Sequence, residues 1–164
     1  MKKKWTAILL TAALGLGLAG AAGVRAPLRV DAAQDLALYV GSPLVLSGET
    51  VKPLDSQNYA VTPIIQNDRT LVPLRAIFEA MGATVDWNSG TQTVTAVRNG
   101  VTVKLTVGST VMSRNWDELP MDTAPVVLGG RTLVPARAVA EAFGADVGWD
   151  EATHTVTISE AAAQ

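Results

Sequence analysis

The sequence predicts a strand-rich α+β fold: antiparallel sheet with one short helix per half, in two homologous repeat halves packed together. Three observations carry this. The stretch RTLVPLRAIFEAMGATVDW beginning at Arg69 returns as RTLVPARAVAEAFGADVGW at Arg131, and residues 69–97 match residues 131–159 at 17 of 29 positions. Much of the remaining sequence alternates apolar residues with threonine, the period of a half-buried strand. The helical period is confined to PLRAIFEAMG and PARAVAEAFG. Helices that short are marginal alone in water, so each must be pinned to a sheet.

The similarity continues upstream in weaker form. Leu38-Tyr39-Val40-Gly41-Ser42 resembles Leu105-Thr106-Val107-Gly108-Ser109, and Pro63-Ile64-Ile65 resembles Pro125-Val126-Val127. The units run approximately over residues 36–98 and 99–159. Two copies are fewer than a solenoid needs, so the halves are expected to pack on each other or to share one sheet. The second helix face is the poorer one, with Ala136 for Leu74 and Ala140 for Phe78. A half with so little apolar volume and no disulfide is a poor independent folder, which puts strand Val101–Val107 near the seam of a single domain.

Each element has a local cause. PIIQNDRTLVP and PVVLGGRTLVP are paired apolar runs around Asn67-Asp68 and Gly129-Gly130, residues that suit a two-residue hairpin turn. Pro73 and Pro135 end the second strand and open the helix, where a missing N–H does no harm. Leu74, Ile77, Phe78 and Met81 make one apolar face, and Ala136, Val139, Ala140 and Phe143 make its counterpart. Gly82 and Gly144 stand where a helix ends in a left-handed residue. Val85 with Trp87, and Val147 with Trp149, share a strand face by period two and are expected beneath the helices. On that expectation Trp149→Ala costs about 3–5 kcal/mol. Asn88-Ser89-Gly90 and Asp150-Glu151-Ala152 then turn the chain into TQTVTAV and THTVTIS. Val94, Ala96, Val156 and Ile158 point one way, and threonines form the outer face. Asn99-Gly100 turns the first half into VTVKLTV.

Residues 1–32 have the layout of a secretory signal peptide: Lys2 to Lys4, an uncharged run from Trp5 to Val24, and the small-x-small-like Val30-Asp31-Ala32. Cleavage there leaves Ala33 first, so the domain occupies 33–164; Ala19-Gly20-Ala21 is a second possible site. An uncleaved anchor competes, because the run is long enough to span a bilayer, although Gly15, Gly17, Gly20 and Gly23 soften it. A lipid-anchored lipoprotein is excluded, since the chain has no cysteine. Residues 1–32 hold five of the 13 basic and one of the 15 acidic residues, which leaves a net charge of −6 on the remainder. A surface of that sign repels nucleic acid and gains nothing from anionic lipid, so neither is an expected partner.

The R-T-L-V-P-x-R-A-x-x-E-A-x-G-A-x-V-x-W core, present at Arg69 and again at Arg131, resembles the copper amine oxidase N-terminal domain, or stalk domain. The resemblance covers roughly residues 36–159. It implies a small α+β module, a twisted antiparallel sheet around a helix, common in secreted and cell-envelope proteins of Gram-positive bacteria. It implies no copper and no quinone, which belong to a separate catalytic domain. The residues agree. One histidine, His154, cannot build a three-imidazole copper site within one chain. Gln57-Asn58-Tyr59-Ala60 lacks the acid that follows the quinone-forming tyrosine.

Other candidate sites have plainer explanations. Arg75 with Glu79, and Arg137 with Glu141, are spaced as exposed i,i+4 ion pairs rather than as an acid/base pair. Arg69 and Arg131 open the second hairpin strand of each copy and are expected to hold turn carbonyls or a carboxylate of the other half. Trp87 and Trp149 are read as packing before sugar platforms. Asp86-Trp87-Asn88-Ser89-Gly90 resembles the start of a calcium loop, but Val97 stands at the twelfth position, so a hairpin turn explains it. His154 corresponds to Gln92, so the repeat does not require imidazole. Trp116, in the polar stretch Ser113–Glu118, is the candidate ligand contact. No nucleophile, phosphate-loop or metal motif is present.

The expectation is therefore a secreted or cell-wall-associated, non-catalytic interaction or scaffold module without cofactor, whose partner is a protein or a cell-wall polymer. The alternative is a carbohydrate- or peptidoglycan-binding module that uses exposed tryptophan. The structural motif Arg69, Pro73, Gly82 and Trp87, with Arg131, Pro135, Gly144 and Trp149, then repeats architecture rather than chemistry.

Overall fold

Asn67 and Asp68 adopt φ of 51° and 56°, and Gly129 and Gly130 adopt 57° and 73°. Two successive left-handed residues are what a tight hairpin turn needs. The computed structural model, which describes residues 35–160, carries such a turn at each of these places; the predicted signal peptide lies outside the described residues. In chain order the elements are β1 (Leu36–Tyr39), β2 (Leu44–Ser47), β3 (Thr50–Pro53), β4 (Ile64–Gln66), β5 (Arg69–Pro73), α1 (Leu74–Ala80), β6 (Thr84–Asn88) and β7 (Thr93–Arg98). They continue as β8 (Val101–Thr106), β9 (Val111–Arg114), β10 (Asp117–Pro120), β11 (Val126–Leu128), β12 (Arg131–Pro135), α2 (Ala136–Ala142), β13 (Ala145–Asp150) and β14 (Thr155–Glu160). The order strand, strand, helix, strand, strand from β4 to β7 recurs from β11 to β14.

The strands form three antiparallel sheets, not one. Their orders are β13-β14-β1-β2-β3, β10-β9-β8-β7-β6 and β11-β12-β5-β4. Each sheet combines strands from the N-terminal and the C-terminal part of the chain. The first described strand is held by the last, Leu36 opposite Ile158 and Leu38 opposite Val156. In the four-stranded sheet β5 meets β12 with Val72 opposite Val134, Leu71 opposite Pro135 and Pro73 opposite Leu133. Val72 and Val134, 62 positions apart, thus face each other, and the pairs on either side of them are 64 and 60 apart. Near the ends of β7 and β14, Arg98 makes an ion pair with Glu160, again 62 positions away.

The helices bury the faces that their periodicity predicts. Leu74, Ile77, Phe78 and Met81 are buried, as are Ala136, Val139 and Ala140, while Phe143 is half-buried against the same core. Phe78 and Phe143 meet edge to face at 5.2 Å, a favoured aromatic geometry. Pro73 and Pro135 are the N-cap residues, without a side-chain cap. Gly82 and Gly144 follow the C-caps at φ of 79° and 76°, where a β-carbon would be strained. Val94, Ala96, Val156 and Ile158 are buried in the inner strands.

One expectation about packing fails. Val85 and Val147 are only half-buried, and Trp87 and Trp149 are 37% and 40% exposed. Both tryptophans do oppose core residues, Trp87 facing Val94 and Trp149 facing Val156. But β6 and β13 are the outermost strands of their sheets, so no neighbour closes over their free side. Val85 and Val147 still pack against the core beneath the seven-residue helices. The cost of Trp149→Ala therefore falls below the core range given above.

Candidate binding grooves

Two grooves open where the tryptophans overhang. The first, about 760 Å³, runs between the start of α1, Trp87 on β6, the loop after β3 and the β11–β12 turn. The second, about 580 Å³, runs between the start of α2, Trp149 on β13, the segment after β10 and the β4–β5 turn. Both sizes fall within the roughly 300–1,000 Å³ of small-molecule sites. Their linings correspond: Arg75, Glu79 and Trp87 in one stand where Arg137, Glu141 and Trp149 stand in the other.

One wall of each groove is an ion pair between distant parts of the chain. Arg131 Nε donates to Asp55 Oδ2 and its Nη1 donates to the carbonyl of Gly130 at 3.3 Å. Arg69 Nε donates to Asp122 Oδ2 at 2.7 Å and its Nη1 to the carbonyl of Asp68 at 3.1 Å. Each arginine thus holds both a turn carbonyl and a carboxylate from the other part of the chain. The guanidinium of Arg131 holds the Asp55 carboxyl below its ordinary range, helped by the backbone N–H of Gln57 and opposed by burial. The Asp55 side chain is 14% exposed, against 68% for Asp122. Asn58 Nδ2 also donates to the carbonyl of Gly129 at 3.1 Å, so the loop grips the turn it lies against.

The two aspartates were not singled out from the sequence, although a signal exists. Pro53-Leu54-Asp55 and Pro120-Met121-Asp122 lie 67 positions apart, the offset of the LYVGS and LTVGS stretches. The change to 62 further on comes from the loop between Asp55 and Pro63, five residues longer than that between Asp122 and Pro125. That longer loop lines the larger groove through Ser56, Gln57 and Val61.

The remaining candidates fall elsewhere. Trp116 is 98% exposed at the tip of the β9–β10 hairpin, outside both grooves. Asn115 beside it, at φ of 55°, accepts from Thr102 N–H on Oδ1 and donates its own N–H to the Thr102 carbonyl. The tip is therefore anchored while the indole is free. Arg75 and Glu79 form the i,i+4 pair at 3.4 Å, with both side chains more than half exposed. Asn88 Oδ1 accepts from Gly90 and Thr91, and Asp150 Oδ1 from Ala152 and Thr153, which are turn contacts and not a cation site. His154, at φ of 50°, lies 5.9 Å from the Trp149 ring. Among the described residues no group of three or more His, Cys, Asp or Glu is placed to hold a metal, and no helix is long and apolar enough to cross a membrane.

The fold and grooves define a strand-rich α+β domain, three antiparallel sheets with two short helices, and paired clefts at its sheet edges. The model of the copper amine oxidase N-terminal domain matches residues 45–158, and the chain belongs to that family. The family's domain is a non-catalytic, stalk-like one. No curated protein matches the chain.

Proposed function

We propose that the protein is a secreted, non-catalytic interaction or scaffold module of a Gram-positive cell envelope, built of two homologous halves packed into one domain. One observation carries the reading. Residues kept at both copies of the motif, Arg69/Arg131, Pro73/Pro135 and Gly82/Gly144, make wall ion pairs, helix starts and helix ends. These six residues, written twice, serve the architecture. The start of the sequence supports export, and N-terminal sequencing of the secreted protein should return Ala33. Intact Met1 in the membrane fraction would favour the anchor instead.

A second reading is carbohydrate or peptidoglycan binding, favoured by the exposure of Trp116, Trp87 and Trp149. Retention of the exported protein on purified sacculi tests both. Retention abolished by soluble cell-wall fragments supports a wall polymer as partner. No retention, with co-purification of one envelope protein instead, supports a scaffold that holds protein.

A further inference from the structure

Three features of the grooves point to the same ligand chemistry. Each is lined by a part-exposed tryptophan on an outermost strand. Each brings an arginine and a glutamate, one helical turn apart, to the rim beside that indole. Each has in one wall an arginine–aspartate pair that ties that wall to the other part of the chain. An apolar ring face beside a rim of donors and acceptors suits a pyranose, whose C–H face is apolar and whose edge is ringed with hydroxyls.

Charge narrows the class. The first groove is lined by two arginines and two acids, Asp55 and Glu79, and is balanced. The second has two arginines against Asp68, Asp122, Glu141 and Glu151, a net −2. Anionic polymers meet no net attraction in one and are repelled by the other. Peptide addition to the open strands is also disfavoured, because Asp86 on β6, and Asp146 and Asp150 on β13, put charge on those edges. We propose that each groove is a subsite for an uncharged oligosaccharide, with Trp87 and Trp149 as the stacking floors, so that one chain holds two glycan segments at once. This rests on the carbohydrate reading above and assigns it to the grooves instead of to Trp116.

Isothermal titration of the exported protein with triacetylchitotriose, and separately with cellotriose, tests it. The expected result is two sites per chain for at least one of these probes. Trp87→Ala and Trp149→Ala should each remove one site, and the double variant both. Trp116→Ala should leave two. Far-UV circular dichroism checks each fold, and Glu79→Gln and Glu141→Gln, exposed on the helices, give a second route: each should weaken its own site about tenfold. Two sites or one, lost on Trp116→Ala and untouched by the groove variants, would overturn the groove assignment and leave the carbohydrate reading standing. Failure of folded wild-type protein to bind either probe, or to be retained on sacculi, overturns both.

Discussion

Phe78→Ala is the sharpest probe of how the two parts of the chain depend on each other. Phe78 is fully buried and meets Phe143 edge to face at 5.2 Å. It lies on α1, while Phe143 caps α2. Removing a buried phenylalanine costs about 3–5 kcal/mol. The loss of its aromatic partner, about 0.5–1.5 kcal/mol in pairs of this kind, puts the value in the upper half of that range. With a urea dependence of about 2 kcal/mol per molar, typical of small domains, the midpoint falls by about 2 M. The assay is urea unfolding followed by tryptophan fluorescence and by far-UV circular dichroism. Because all three sheets mix strands from both parts, the two probes must move together in one transition. A loss below about 1 kcal/mol would show that the Phe78 site is not packed as described. Two separated transitions would show that the parts fold independently despite their shared sheets.

Residues 99–164 expressed alone should be disordered or dimeric by analytical ultracentrifugation, since β13-β14 and β8-β9-β10 lose their partner strands β1 and β7; a folded monomer would refute this. A dimer of that fragment should be weak, because Glu160 would face a second Glu160 where Arg98 now stands. The Asp55 carboxyl has a folded pKa below its unfolded value of about 3.9. Its stabilising contribution is therefore complete above that value and lost as pH falls through the folded pKa. Asp55→Asn should lower stability near neutral pH, and the gap to wild type should narrow as pH falls below about 3.9 in acid-unfolding curves. A gap that persists there would mean that the charge of Asp55 is not what Arg131 uses.

Features with a local cause were legible in the sequence. The proline–glycine brackets of the helices, the left-handed turn residues and the i, i+3, i+4 faces depend only on neighbours along the chain, and all take the predicted form. Pairing between distant strands was not legible. Period two says which side of Trp87 is inward but not that β6 is an outermost strand, so the burial of both indoles was overestimated. The arginines of the grooves were legible as holders of a turn and a carboxylate, because their position beside a hairpin turn is local. Their aspartate partners lay hidden behind a five-residue change in offset.

The pairing of β1 with β14 has a mechanical consequence. These strands run antiparallel, and Leu36, at the start of one, sits beside Ile158, near the end of the other. Entry and exit are thus about one strand spacing apart, roughly 5 Å. Tension applied through the chain on either side loads the first rung of that ladder alone, not all rungs at once. The ladder then opens as a zipper does, rung after rung, rather than resisting in shear. Folded, the domain adds almost nothing to the contour length of a chain that passes through it. Once unzipped, its 126 described residues release about 400 Å of extended chain. A domain closed in this way gives in to a pull along the chain.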